Sequence, residues 1–249
     1  MLAAVGTVTE NILASFAYVI KGRVNLLHLL AQMVQIGYDS LPVACIICTV
    51  SGSVLALHGA EQFAQTGAHS YVGALVAMAM VREMGPIFTA LAVAARAGTG
   101  IAAEIANMNV TNQMDALEVM HVSPVRYIIV PRLLACIISL PLLTLIAQTC
   151  GVLGGMITAK ATANIHYQRF LDSVWLNIKL SDIQASMIKA VWFGILLAGI
   201  SVTCGFLAKR SAKDVGLAAT QATIWTSVAV LISDFFLTWM LFGTNFSGG

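Results

Sequence analysis

Long stretches without a charged residue are the feature that most restricts how this 249-residue chain can fold. Twenty-seven uncharged residues separate Arg132 from Lys160, and twenty-one run from Ser40 to Ala60. An α-helix rises about 1.5 Å per residue, so about 20 such residues cross the roughly 30 Å hydrocarbon core of a bilayer. These stretches therefore predict transmembrane helices.

The composition supports a membrane protein rather than a water-soluble one. Apolar residues make up 59% of the chain and charged residues only 10%, and the mean hydropathy is +0.87. Soluble domains carry about 25% charged residues. A net charge of +2 gives no indication of nucleic-acid binding.

We predict an all-α integral membrane protein with five spans. Residues 1–38 carry apolar side chains at near-helical spacing among charged ones, which is typical of an interfacial amphipathic helix, although a poorly ordered lead-in is the alternative. Residues 160–185 are predicted to form a polar, partly helical loop. Gly85-Pro86 offers a kink in the long second span, and Gly151 and Gly155 offer a close-packing face in the third. The predicted spans are residues 40–60, 70–103, 127–159, 186–208 and 215–243.

The distribution of lysine and arginine predicts the orientation, because cytoplasmic loops carry an excess of both. With the N-terminus in the cytoplasm, eight of these residues fall inside and three outside. The C-terminus then lies on the opposite side, and residues 104–126 become cytoplasmic. The cytoplasmic set is Lys21, Arg23, Arg96, Arg126, Arg132, Lys209, Arg210 and Lys213; the outer set is Lys160, Arg169 and Lys179.

Four charged residues lie inside predicted spans: Arg82, Glu83, Lys189 and Asp234. Charges in lipid are costly, so they are expected to be paired and are often functional. Counting residues places Lys189 and Asp234 in the outer half of the membrane and the other two nearer its middle. A Lys189–Asp234 pair would then be an interhelical clamp, a polar element that moves during transport, or both.

A polar, amphipathic segment, residues 104–120, interrupts the apolar runs between the second and third spans. Thr111 is a candidate helix cap, with Asp115 in the first turn. Met114 with Leu117 and His121, or Ala116 with Met120, would form an apolar stripe on a short helix outside the bilayer. Methionine-rich stripes make adaptable contact surfaces, so we expect a docking site; a helix lying on its own protein is the alternative.

No catalytic set is found in the sequence. There is no Walker A, GxSxG or HExxH motif, and Gly98–Ala103 matches GxGxxA without the preceding strand that a nucleotide site needs. No metal site is expected, because the histidine and cysteine spacings fit no strong signature. If ATP drives this protein, another subunit must bind it.

Several sequence runs resemble the MlaE/YrbE permease family. They extend over roughly residues 40–243 and together are specific to that family. One departure is Asn112, where the family usually has glutamate, which implies one fewer acidic contact to an ATPase. The matching runs are Arg82–Pro86, Ala95–Gly98, Ala103–Ile105, Met108, Thr111–Leu117, Pro131–Arg132, Ser139–Thr144 and Asp234–Thr238.

The resemblance implies that residues 1–249 form one permease domain of an ABC-type phospholipid transporter in the bacterial inner membrane. It implies a homodimer, two cytoplasmic ATPase subunits that hold ATP and magnesium, a periplasmic hexamer of an MCE-domain protein and, in some systems, a STAS-domain protein. Phospholipid would move between the inner and outer membranes and so contribute to outer-membrane lipid asymmetry.

The resemblance also assigns expected roles to individual residues. Residues 104–120 would be the coupling helix that binds the ATPase, and lipid would bind in a cavity between the two copies. Expected lipid contacts are Leu55, Phe63, Thr66 and Met84, and expected coupling contacts are Glu104, Met108, Gln113, Asp115, Leu117 and Met120.

Two other functions remain open from the residues alone. An ion- or proton-coupled secondary transporter would use Glu83 or Asp234 as its titrating group and would need no ATPase. A structural membrane scaffold would bind no lipid.

Overall fold

The structure is a computed structural model that describes residues 26–64, 71–121, 124–208 and 211–243. These residues are almost entirely helical and include no strand. The helices are α1 (Leu26–Ile36), α2 (Leu41–Ala64), α3 (Val72–Val110), α4 (Gln113–Val119), α5 (Val130–Ala163), α6 (Tyr167–Asn177), α7 (Leu180–Phe206) and α8 (Ala212–Phe242).

The five predicted spans are confirmed as five helical stretches long and apolar enough to cross a membrane. Three of their ends differ from the predicted ones by six residues or more. The first stretch begins at Leu26 instead of residue 40, the second continues to Val110 instead of ending at residue 103, and the fourth begins at Leu180 instead of residue 186. Polar residues such as Asp182 do not end a helix when they lie in its first turn, where an acidic side chain is favoured.

The prediction for residues 1–38 can be compared with the structure only in its last part, because residues 1–25 lie outside the described residues. Helix α1 buries Gln32 and Ile36 and exposes Leu27, Leu30 and Val34. Outward-facing apolar side chains suit a helix in contact with lipid. Its position at the membrane interface stays a prediction.

Contacts divide the chain into two compact units. One contains the described residues within 1–40, 93–140 and 191–233, and the other those within 41–92, 141–190 and 234–249. Helices α3, α5, α7 and α8 each contribute residues to both units. The single-domain prediction stays a prediction.

The predicted irregularity in the second span coincides with a π-helical turn. This turn, Met80–Met84, ends directly before Gly85-Pro86. Proline has no N–H to donate, and a local shift in the hydrogen-bonding register accommodates that loss. A second π-helical turn, Ala94–Gly98, follows in the same helix.

Small residues allow α2 and α5 to approach each other at backbone distance. A Cβ atom added to Gly52 would collide with the carbonyl oxygen of Gly151. One added to Gly155 would lie 2.7 Å from Cγ1 of Val76 and 3.0 Å from the Gly52 carbonyl oxygen. The close-packing face predicted at Gly151 and Gly155 is confirmed, and Gly52 is its counterpart on α2.

The polar loop predicted at residues 160–185 contains helix α6, as expected. Phe170 is buried on α6, and its carbonyl oxygen approaches Gly73 so closely that a Cβ there would lie 2.5 Å from it. The backbone N–H of Ala74 donates to Oγ of Ser173 at 3.1 Å. This bond satisfies an N–H in the first turn of α3, which has no partner within its own helix.

Candidate functional site

A cluster of charged side chains lies within the unit formed by residues 41–92, 141–190 and 234–249. At its centre the side chain of Lys189 is fully buried, with its ammonium nitrogen 2.6 Å from Glu83 Oε2 and 3.0 Å from Asp234 Oδ1. The ammonium also donates to the hydroxyl oxygen of Thr238 at 2.7 Å and to the backbone carbonyl of Arg82 at 3.0 Å. Lys189 therefore joins residues of α3, α7 and α8 through one cation.

Thr238 completes the cluster. Its hydroxyl group lies 3.1 Å from each carboxylate oxygen of Glu83 and donates to that side chain while accepting from Lys189. Such a hydroxyl fixes the relative positions of an ammonium and a carboxylate without adding charge.

A second ion pair lies beside the first. Nη2 of Arg82 is 3.1 Å from Oδ1 of Asp182, whose side chain is 4% exposed. The guanidinium carbon of Arg82 lies 5.1 Å from the centre of the Phe242 ring, within the range of a cation–π contact. Phe242 also lies 6.0 Å from the Lys189 ammonium, so one ring is near both cations.

The structure changes the predicted charge balance. The four predicted charges sum to zero, but Asp182, which was placed in the polar loop, belongs to the helix and adds a third acid. In their ionised forms the three carboxylates exceed the two cations by one negative charge. The predicted Lys189–Asp234 pair is confirmed. Glu83 contacts the same ammonium, a pairing that was not predicted. The depths of these residues in the membrane stay predictions.

The expected lipid contacts cannot all be placed. Leu55, Phe63 and Met84 are each half-buried in the same unit, and Thr66 lies outside the described residues. The ring of Phe63 packs 6.5 Å from that of Tyr71. The lipid-binding role of these residues stays a prediction.

The segment predicted as one coupling helix, residues 104–120, is divided in two. Residues up to Val110 belong to the end of α3, and α4 follows as Gln113–Val119. The predicted cap at Thr111 is wrong, since Thr111 closes α3: its hydroxyl donates to the carbonyls of Asn107 and Met108. Asn112, at φ 57°, makes the turn. Asparagine adopts this left-handed conformation more readily than most residues, glutamate included.

The predicted coupling contacts differ in their exposure. Gln113 and Asp115 are exposed, and Leu117 and Met108 are half-buried. Met114 is only 5% exposed, so its predicted place in an outer stripe is wrong. In the alternative stripe, Ala116 and Met120 are both exposed as predicted. The large exposed apolar side chains here are Val119 and Met120, at 79% and 62%. They form the exposed apolar surface at the end of α4.

Glu104 lies on α3, about one and a half turns before the end of that helix. Its carboxylate forms an ion pair with a side chain of α5. Oε1 of Glu104 is 2.7 Å from Nη2 of Arg132, whose side chain is 4% exposed. Arg132 also donates to the carbonyl of Ile128 at 3.1 Å. A nearly buried arginine requires such an anion, so Glu104 has a structural partner within the chain.

Asn109 links the same segment to the end of α7. Its side-chain amide donates to the carbonyl oxygens of Phe206 at 3.1 Å and Ala208 at 2.9 Å. The carbonyl of Phe206 is the last of α7 and has no partner within that helix, and Asn109 satisfies both it and the carbonyl of Ala208, two residues beyond the helix.

Replacing Asn109 with alanine is therefore expected to destabilise the end of α7. Two carbonyls lose their donor, and we expect a cost of about 1–3 kcal/mol in the free energy of unfolding. Thermal unfolding in detergent measures this cost. Asn107→Ala is the matched control, because Asn107 is exposed two residues away and is expected to change stability little. Equal effects of the two substitutions would contradict the assignment.

Sequence reasoning missed Asp182, Thr238, Phe242 and Asn109. Thr238 could have been found, since it lies four residues after Asp234 and such residues share a helix face. Asp182 could not have been found from the sequence, because it precedes the apolar run of α7. Among the described residues no group of three or more His, Cys, Asp or Glu side chains is placed to hold a metal ion, and all five cysteines are free thiols.

The five apolar helices and the charged cluster inside them define a multi-pass helical membrane protein. The chain belongs to the MlaE permease family: the family model described as Permease MlaE matches residues 29–240. The resemblance found in the sequence is confirmed. The protein is therefore an ABC transporter permease, a class that works with ATPase and substrate-binding components.

Curated relatives agree with this family. A probable ABC transporter permease of Synechocystis is 35% identical over 91% of this chain and 86% of its own length. One from Rickettsia typhi is 37% identical over 90% of this chain and 86% of its own. The chloroplast protein TRIGALACTOSYLDIACYLGLYCEROL 1 of Arabidopsis thaliana is 32% identical over 90% of this chain and 64% of its own.

Proposed function

We propose that this chain is the permease subunit of an ABC transporter that moves phospholipids between the inner and outer membranes of a bacterium. A periplasmic MCE-domain hexamer would accept or supply the lipid, and the transport would contribute to outer-membrane lipid asymmetry. Membership of the MlaE family carries this proposal. The Arabidopsis relative supports a lipid substrate, because its name is that of a glycolipid.

In this proposal the chain hydrolyses no ATP itself. Two copies of the permease would each bind one cytoplasmic ATPase subunit that holds ATP and magnesium, with a STAS-domain protein added in some systems. The N-terminus would lie in the cytoplasm and the C-terminus in the periplasm. The exposed apolar surface of Val119 and Met120, beside the exposed Asp115, supports a docking role for α4.

Native mass spectrometry of the complex, released gently from its own membranes, tests the proposal. We expect a permease dimer with two ATPase subunits and bound phospholipid. A monomer or dimer without ATPase and without lipid would contradict it and would favour the rival below.

We expect the double substitution Asp115→Lys with Leu117→Asp to abolish co-purification of the ATPase while the permease stays folded. Asp115 is exposed and Leu117 half-buried on α4, so both changes alter the docking surface with little change to the core. The matched control is Asp172→Lys with Leu176→Asp on the exposed side of α6, which introduces the same side chains. Undiminished co-purification of the ATPase with the α4 variant would show that α4 is not the docking element.

One observation keeps an ion- or proton-coupled transporter as a second candidate. The charged cluster holds three carboxylates and two cations, so it carries one more acid than its bases neutralise. In that case Glu83 or Asp234 would carry the transported proton. Lipid transport in reconstituted vesicles distinguishes the two functions. An ABC transporter would require ATP, whereas a proton-coupled transporter would require a pH gradient.

A further inference from the structure

A cleft of about 650 Å³ opens beside the Arg82–Asp182 pair, in the unit formed by residues 41–92, 141–190 and 234–249. Its volume lies in the range of small-molecule binding sites, about 300–1,000 Å³. One part of its wall is polar and the other is apolar. The lining residues of interest are Arg82, Lys179, Gln184, Ile188, Leu241 and Phe242.

The polar part of the cleft has hydrogen-bond donors in excess. Asp182 is its acid, and both carboxylate oxygens are already engaged: Oδ1 by Arg82 at 3.1 Å and Oδ2 by the backbone N–H of Lys179 at 3.0 Å. Lys179 is exposed, and its ammonium is not among the ion pairs of the described residues. Arg82 uses Nη2 for Asp182, while its Nε–H has no partner.

The charged side chains that line the cleft favour an anion. Arg82 and Lys179 face one carboxylate, Asp182, which leaves one net positive charge on the wall itself; the neighbouring Glu83, Asp234 and Lys189 do not line it. The cleft also contains the first turn of α7, a helix of 27 residues beginning at Leu180. The macrodipole of this helix adds a partial positive charge at the same place.

The other part of the cleft suits an acyl chain. Ile188 is 52% exposed, and Leu241 and Phe242 are half-buried at the end of α8. An inorganic anion would make no favourable contact with this apolar wall. A ligand with an anionic headgroup and a hydrocarbon chain matches both parts at once.

We infer that this cleft is a lipid site, distinct from the contacts expected at Leu55, Phe63 and Met84, that holds the phosphate of a phospholipid through Lys179 and Arg82. The inference rests on the proposed lipid-transport function and adds to it a headgroup recognition element formed by α3, α7 and the end of α8. The acyl chain lies along Ile188, Leu241 and Phe242.

Photolabelling tests this assignment. The full-length protein in nanodiscs is exposed to phosphatidylglycerol that carries a diazirine near the start of one acyl chain, and the labelled residues are mapped by mass spectrometry. We expect labels within residues 185–188 and 241–242. A diacylglycerol with the same acyl chain, which lacks the phosphate, is expected to label these positions about tenfold less, the loss of roughly one charge-assisted hydrogen bond.

Two variants and a control measure the separate contributions of the polar and apolar parts of the cleft to lipid labelling. Lys179→Glu is expected to reduce labelling of the cleft about tenfold. Ile188→Trp fills the apolar part from an exposed position and is expected to reduce it without changing the headgroup contacts. Arg169→Glu makes a comparable charge reversal at an exposed position of α6 outside the cleft and is expected to have no effect.

Each contrary result overturns a definite part of the inference. Competition by excess inorganic phosphate would assign the cleft to free phosphate, and equal labelling by diacylglycerol would exclude headgroup recognition. Labelling of the cleft that disappears once the partner subunits are bound would assign it to a protein interface. Labels near Leu55 and Phe63 but none in the cleft would overturn this site alone, whereas no specific label anywhere would also count against lipid transport.

Discussion

Replacing Lys189 with methionine is expected to destabilise the protein by about 3–5 kcal/mol, the cost of breaking a buried ion pair by removing one partner. Methionine keeps most of the volume but leaves Glu83 and Asp234 without their cation. Two uncompensated carboxylates then remain among apolar helices. Thermal unfolding in detergent and the yield of folded protein measure the effect. Lys213→Met is the matched control, since Lys213 is exposed and is expected to tolerate the change.

The triple variant Lys189→Met, Glu83→Gln, Asp234→Asn is expected to recover most of the lost stability. Its side chains are neutral, so no isolated charge stays buried, and the hydroxyl of Thr238 still finds a hydrogen-bond partner. Failure of the triple variant to recover would show that the lysine acts through packing rather than charge. Lipid transport by the folded triple variant then separates the two roles of the cluster: a clamp leaves transport intact, and a moving polar element does not.

Replacing Gly52 with alanine is expected to produce the second large loss of stability. The added Cβ would collide with the carbonyl oxygen of Gly151, a backbone atom that cannot rotate away. Helices α2 and α5 must then separate, and overpacking of this kind costs about 1–3 kcal/mol. Thermal unfolding of the purified protein measures the loss.

Gly216→Ala is the matched control for this substitution. Gly216 also lies in a helix, α8, but a Cβ there meets no atom within 4 Å. Alanine loses less conformational freedom than glycine in a helix, so we expect this variant to be more stable by about 0.5–1 kcal/mol. If Gly52→Ala were equally harmless, the backbone contact between α2 and α5 would not hold the unit together.

The coupling segment illustrates how local sequence signals can be assigned to the wrong helix. Thr111 was expected to begin a helix, because threonine commonly does so. In the structure its hydroxyl bonds backwards to Asn107 and Met108 and so ends α3. Both uses of a threonine hydroxyl are local, and only the path of the chain decides between them. The same path turns Met114 inward and leaves Val119 and Met120 exposed.

The sequence by itself determined the membrane class, the five spans, the family and the identity of the charges that need partners. The family follows from the matching sequence runs. The membrane class, the spans and the charges follow from the lengths of the apolar runs and from the high cost of a charge in lipid, none of which depends on how the helices pack. Counting residues along the two helices also predicted that Lys189 lies close to Asp234.

Only the tertiary structure decided the partners that lie far apart in sequence. Glu83 meets Lys189 across 106 positions, and Asn109 meets Phe206 across 97. Asp182 lies beside Arg82, and a donor-rich cleft forms next to them, because α7 begins earlier than its apolar residues indicate. The rotation of each helix about its axis decides which side chains meet, and it leaves no local pattern in the sequence.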